Sequence, residues 1–294
     1  MENQNQNFTQ DLSQEGEQPG AVFIIKLLFK EKPEFPDKEA MTQVMAKHIG
    51  ETECFWHDEK GAGFAAKNYV AHFKDADVPP QLMITYCSEF DGSQIGDFER
   101  SQMWDCLNER DRILNECKYE IIATDMLAAG LPAVSRANLD MDFLEALIEI
   151  FPECEAVYII NSGKLLLTDS IKNAKVSGSD RFIKFAVNAR FFNIQGTEDM
   201  VVDTLGMSVL FMPDLQYHFH GMDPNWVVYH AYCTASYILT NDNPIESGDP
   251  VDGIDNGEIS TQVQWKVQYE NALIQPAREV IDVCMNWYAS GRRG

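Results

Sequence analysis

The densest run of side chains able to do chemistry lies between Asp214 and Asp223, with the sequence DLQYHFHGMD. If Tyr217 to His220 is extended, His218 and His220 point to the same side, because side chains alternate along a strand. Two neutral imidazoles and a carboxylate suit zinc, or iron with open positions. Asp203, Asp214 or Asp223 would supply the carboxylate, and His230 follows closely enough to approach. The metal candidates are His218, His220 and Asp214. The competing reading places Tyr217 and Phe219 in the core and leaves both His at a wet sheet edge, the commoner fate of so short a motif. The catalytic candidates are His218, Asp203, Glu270 and Arg278, together the outline of a metal-assisted hydrolase site. Glu270 and Arg278 flank the last strand and its following segment, where they form a buried ion pair or line a cleft.

Other chemistries find less support. The chain has no GxSxG elbow and no GxxxxGK[ST] phosphate loop. Gly61-Ala62-Gly63-Phe64-Ala65-Ala66 begins like a dinucleotide loop but lacks the third Gly, and Lys67 to Phe73 looks extended, so it reads as a hairpin turn. The seven cysteines (Cys54, Cys87, Cys106, Cys117, Cys154, Cys233 and Cys284) are scattered and form no CxxC. They fit reduced, mostly buried thiols in a reducing compartment. No cofactor is expected, a divalent metal being the minor alternative.

The elements that must position these residues alternate between strands and helices. Ala21 to Phe29 is a near-continuous apolar run, as a central strand requires. Asp37 caps a helix whose Met41, Val44, Met45 and His48 share a stripe, with Gly50 as its stop. Strands are expected at 53–57, 63–73, 82–87 and 119–125, and helices at 97–117 and 138–150. In the second half, strands are expected at 156–161, 182–194 and 200–211. Asp223-Pro224 opens a helix to about Thr240 that carries no charge between Pro224 and Asn241, so most of its circumference should be buried. Ile259 to Glu270 alternates cleanly as a half-buried strand, and a short helix is expected from Pro276 to Trp287. Each half thus reads as β-α-β-β-α-β. The expected class is α+β, as two ferredoxin-like sandwich halves with mixed or antiparallel sheets and helices on one face. The expected divisions are a polar tail at 1–20, domains at 21–152 and 153–289, and a frayed end at 290–294.

Charge narrows the partners. With 46 acidic and 23 basic residues the formal net charge is -23. Nucleic acid and anionic membranes would repel such a chain. From Phe191 to Trp265 there is no Lys or Arg but eleven acids, six of them between Asn241 and Glu258. Acidic surfaces keep proteins dispersed, and they also dock cationic partners. Asp249, Asp252, Asp255 and Glu258 recur every third residue, which is not the spacing of a calcium loop. The first twenty residues show no signal-peptide pattern and no apolar run spans a membrane, so a cytoplasmic protein is expected.

The C-terminal half resembles a known family. The features are Asp203-Thr204-Leu205-Gly206-Met207, Pro213-Asp214-Leu215-Gln216, His218-Phe219, Asp223-Pro224, Trp265, Glu270, Pro276 and Arg278, with Asn188 to Ile194 upstream. They resemble the domain-of-unknown-function 4261 family of bacterial proteins, which has no established activity. The resemblance implies no catalytic residue. It implies that relatives often carry a basic residue at the position of His220, leaving His218 the stronger candidate of the pair. The function expected from all this is a protein-binding module with an acidic face, immunity-like or inhibitor-like, facing a basic protein. The alternative is the metal-assisted hydrolase around His218.

Overall fold

The structure, a computed structural model, describes residues 22–291. These form two compact units divided between Val187 and Asn188. The tail proposed at 1–20 and the last residues, 292–294, lie outside the described residues.

Along the first unit run β1 (Ile24–Phe29), α1 (Lys38–Ile49), β2 (Thr52–Asp58), β3 (Gly61–Ala66), β4 (Ala71–His72), β5 (Asp77–Val78), β6 (Gln81–Thr85), β7 (Ser88–Glu89), α2 (Asp97–Ser101), α3 (Arg110–Glu116), β8 (Tyr119–Met126), α4 (Ala133–Ile150), β9 (Ala156–Ile159), β10 (Lys164–Leu167), α5 (Thr168–Lys172) and α6 (Asp180–Ala186). One sheet has the order β10-β9-β1-β8-β6-β3-β2, with β7 paired to β8. Its ladders are antiparallel. The apolar run of β1 lies between β8 and β9, covered on both faces as its composition requires. Phe29 meets Phe151 at the end of α4, edge to face at 6.1 Å. Leu28, pointing the other way, joins Phe90, Met103, Cys106, Ile113, Leu114 and Cys117 in a second core. Asp37 caps α1 as expected, its carboxylate accepting from Ala40 N at 2.8 Å.

The second unit holds β11 (Asn188–Asn193), β12 (Met200–Leu205), β13 (Asp214–Phe219), α7 (Pro224–Thr240), β14 (Pro250–Asp255), β15 (Glu258–Asn271) and β16 (Glu279–Cys284). Its sheet order is β11-β12-β13-β16-β15-β14. Two antiparallel meanders are joined along one parallel pair, β13 with β16. Parallel neighbours need a long crossover, and here it runs through α7, β14 and β15. α7 packs on one face of this sheet. Asp223 caps it, accepting from Asn225 N at 2.9 Å, and Pro224 starts it. The opposite face carries a cross-strand row of polar residues: Arg190, Asp203, Gln216, Asp282 and Gln268 are successive register partners.

The class is α+β, but neither unit is a four-stranded ferredoxin-like sandwich. The first keeps two split crossovers, β1-α1-β2 and β8-α4-β9, spread across a wider sheet. The second has one long helix and a parallel central pair. The boundary expected near residues 151–155 falls inside the first unit, because β9 and β10 extend its sheet beyond β1. The start of the strand expected at 182–194 is helical. As α6 that run buries Phe182, Ile183, Phe185 and Ala186, and periodicity alone does not separate a short apolar helix from a strand. The helix expected at 97–117 is broken into α2 and α3, and Trp104 and Leu107 between them are exposed while Leu114 of α3 is buried. The strand expected at 200–211 ends at Leu205, and Gly206, at φ 137°, turns the chain into a 3-10 turn. The helix expected at 276–287 is instead β16, where β-branched Val280, Ile281 and Val283 fill the gap between β13 and β15. The end expected to fray from Ser290 is held there: Ser290 is buried and its N donates to His218 O at 2.9 Å.

Candidate functional site

The strand row places Arg190 beside Asp203, and the loop before β16 brings Arg278 onto both Asp203 and Asp214. Asp203 accepts from Arg190 Nε at 2.8 Å and from Arg278 Nη2 at 2.8 Å. Asp214 accepts from Arg278 Nε at 3.1 Å, Thr204 Oγ1 at 3.1 Å and Met207 N at 3.2 Å. Arg278 also donates to the carbonyls of Thr204, Ile274 and Pro276 at 2.7, 3.0 and 2.9 Å. Its fork geometry is filled, as a buried guanidinium requires. Arg190 Nη1 closes the set on Gln275 O at 2.7 Å. Burial pushes the Asp214 carboxyl up, and the Arg278 charge opposes that shift. Asp203 and Asp214 are fully buried and Arg278 is 1% exposed. A catalytic group must touch substrate, and the partners of these groups are one another, the Thr204 hydroxyl, the Phe192 ring and the backbone. The ion pair expected of Arg278 is real, but its partners are Asp203 and Asp214 rather than Glu270. Glu270 is half-buried on β15, opposite Val280.

His218 and His220 converge elsewhere. His218 Nε2 lies 3.7 Å from Asp199 Oδ2. Ser290 Oγ donates to Asp199 Oδ1 at 2.8 Å and meets His220 Nδ1 at 2.9 Å. The main chain seals the contact, with His220 N on Tyr288 O at 2.8 Å. The two imidazoles therefore lie toward one side, as the spacing suggested, but the nearby acid is Asp199, beside His218 directly and linked to His220 through the Ser290 hydroxyl. Asp214 sits four residues back along β13, about 13 Å away. His230 lies across the sheet, bound to Tyr217, whose side chain alternates with that of His218. The set His218, His220 and Asp214 is thus not assembled, and among the described residues no three His, Cys, Asp or Glu side chains are placed to hold a metal ion. Asp199 and Ser290 carried no sequence signal, because their meeting depends on the chain end returning to β13.

A second feature lies on the α7 side. A groove of about 400 Å³ runs between α7 and β14. Tyr237, Pro244, Ile245, Pro250, Val251 and Ile259 form its apolar walls, with Asp249 and Asp252 among its lining. Its floor is fixed. His230 Nε2 donates to Asp252 O at 2.6 Å, so Nδ1 accepts from Tyr217 Oη at 2.8 Å. Burial holds the His230 pKa below its ordinary value. With both ring nitrogens engaged, His230 is not available to activate Cys233, which also lines the groove. Four buried thiols are raised by burial, Cys54 among them, with Cys106 and Cys154 pushed up to about 11 and Cys117 to about 12. Burial of most of α7 was expected from its lack of charge. Instead Trp226, Tyr229 and Tyr237 are exposed, the last two 53% and 52%. The spacing of Trp226, Tyr229, Cys233 and Tyr237 at i, i+3, i+7 and i+11 marks that outward stripe.

The second unit defines a class of α+β domain in which one helix covers one face of a mixed sheet and a buried Arg–Asp network ties the other. Within it, residues 203–284 match the family model described as Domain of unknown function (DUF4261). The resemblance read from the residues holds over that stretch; Asn188 to Ile194 and the whole first unit lie outside it. Comparison with curated proteins and with solved structures found no match. Among the described residues no helix is long and apolar enough to cross a membrane.

Proposed function

We propose that this chain is a non-catalytic protein-binding module that docks a basic protein through an acidic face of its second unit, in the manner of an immunity protein or inhibitor. One observation carries the reading. Of the eleven acids between Phe191 and Trp265, Asp203 and Asp214 are buried against Arg190 and Arg278. Asp223, Asp242, Glu246, Asp252, Asp255 and Glu258 are exposed, and among the described residues none of them is in an ion pair. Opposite charge on a partner would speed its association and set its orientation, and like charge would exclude nucleic acid and anionic membranes. Seven free thiols suit the cytoplasm. The hydrolase reading has less support, because Asp203 and Arg278 are closed to substrate and His218 faces Asp199.

The test is a tagged pull-down from host lysate at low and high salt. Capture of a basic protein near stoichiometry at low salt, released at high salt, supports the reading, since exposed charge pairs are screened over about 8 Å at physiological ionic strength. Retention of nothing, or of an acidic protein only, overturns it.

A further inference from the structure

We infer that the groove between α7 and β14 is the seat of an extended segment of a basic protein, with a Lys or Arg side chain meeting Asp249 and an apolar neighbour resting on Tyr237 and Ile259. This deepens the acidic-face reading and rests on it.

The groove combines two surfaces that a solvated acidic face does not need. Its walls are apolar, and the aromatic stripe of α7 continues outward from it through Tyr229 to Trp226. Contiguous apolar surface rimmed by polar groups marks an interaction site more often than chance exposure. Trp226 is also placed against the β14–β15 turn, since a Cβ added at Gly257 would lie 3.0 Å from its indole ring. The stripe therefore leads from the groove to the hairpin that carries Asp255, Asn256 and Glu258.

The groove carries a charge available to a cation. Asp249 accepts from Glu246 N at 2.9 Å. That partner is neutral, so the negative charge of the carboxylate is uncompensated. Asp252 contributes its backbone to the groove, while its carboxylate turns to the opposite face of β14 and accepts from Gln264 Nε2 at 2.6 Å. An anionic ligand would meet Asp249 without a counter-charge, and a purely apolar one would have to desolvate it. A long cationic side chain satisfies both features, its stem on the aromatic and aliphatic wall and its head on Asp249.

The groove is also formed in advance. Tyr217 and Asp252 O lock His230 at the floor, and Tyr269 Oη donates to Ile245 O at 3.0 Å behind the wall. A preformed site loses less freedom on binding. Recognition is through side chains rather than by strand addition. β14 is an edge strand, but Pro250 lacks an N–H, the register shifts between Asp252 and Gly253, and Asp252 O is taken by His230.

The test uses the full chain and a library of ten-residue capped peptides, each with two Arg or Lys and two apolar residues, measured by fluorescence anisotropy. Two single variants remove the same charge: D249N in the groove and E198Q outside it. Melting curves and circular dichroism confirm that both fold. The expected result is that wild type binds a subset of peptides, that D249N weakens them by about tenfold or more, and that Tyr237→Ala does likewise. E198Q should stay within about twofold of wild type. Equal loss in both charge variants would overturn the groove site and leave the acidic-face reading standing, because binding would then follow net charge. Absence of peptide binding by wild type would also overturn the groove. The lysate capture then decides separately whether the acidic face fails with it.

Discussion

Replacing Arg278 by Ala tests whether the most recognisable polar residues of the second unit serve the fold or a reaction. The substitution removes five hydrogen bonds at once, two to carboxylates and three to backbone carbonyls. Asp203 keeps Arg190, and Asp214 keeps Thr204 and the Met207 amide, so neither acid is left without any donor. The remaining charge is nonetheless buried with one cation against two carboxylates. Breaking a buried ion pair from one side costs about 3–5 kcal/mol. We expect a loss in that range for Arg278→Ala. Arg278→Lys should recover part of it, because an ammonium restores the charge but brings three donors without the planar fork. Two units preclude a single two-state unfolding curve, so the assay is native-state amide exchange at Leu215 and Ile281, on the paired strands β13 and β16. A loss below about 1 kcal/mol for Arg278→Ala, or abolished partner binding with unchanged exchange, would refute the structural assignment and reopen Arg278 as a functional residue.

Three further outcomes follow from buried or clasped groups. Asp140 is fully buried beside Asp125, neither of its oxygens receives a hydrogen bond, and burial with the Asp125 charge raises its pKa well above normal. Its unfolded form ionises near pH 4 while the folded form stays protonated, so stability falls as pH rises from there, by up to about 1.4 kcal/mol per pH unit until the folded pKa is passed. Asp140→Asn should remove that slope and stabilise the first unit at pH 7 by about 1–3 kcal/mol, read from native-state amide exchange in α4 at pH 5 and 7; a destabilised variant at pH 7 would contradict this. His230 is the opposite case: its folded pKa is depressed, so the unfolded chain takes up the proton first and stability falls as pH drops below about 6.5. Amide protection in β13 should weaken between pH 7 and 5 in wild type (after correction for intrinsic rates), and His230→Gln should flatten that trend. Ser290→Ala removes a hydroxyl shared by Asp199 and His220 and should cost about 1–2 kcal/mol, seen as faster exchange of the His220 amide with little change at Leu215.

The elements legible in the sequence were those with a strong local signal. Asp37 and Asp223-Pro224 marked helix starts that the structure keeps, because a cap is a contact within one turn. The alternation from Ile259 onward marked β15, although only Trp265 and Val267 are buried on its inner face. That face is covered by α7 only in part, which no alternation pattern records. The misread elements depend on partners far along the chain. β16 is short, follows Pro276, and is a strand because β13 and β15 leave a slot between them. α6 is apolar on a scale too short for any period to decide. The site was legible in composition but not in geometry. Asp203, Asp214 and Arg278 were singled out, yet their assembly needed Arg190, thirteen residues upstream of Asp203 and outside the matched family segment.

That assembly explains why the family can be recognised without revealing an activity. Asp203, Thr204, Asp214, Gln216 and Arg278 carry much of the resemblance, and all are buried. Gln216 bridges strands and loop, its Nε2 on Asp282 and its Oε1 accepting from Leu273 N at 2.7 Å. Each of these groups is fixed by partners on another strand or on the loop before β16. Substituting any of them would strand a buried charge or amide, so their identity is set by the fold. Tyr237 and Asp249, which line the groove, lie outside this network. A signature built from the network therefore reports how the domain holds together, and fold-level likeness of this kind does not carry an activity.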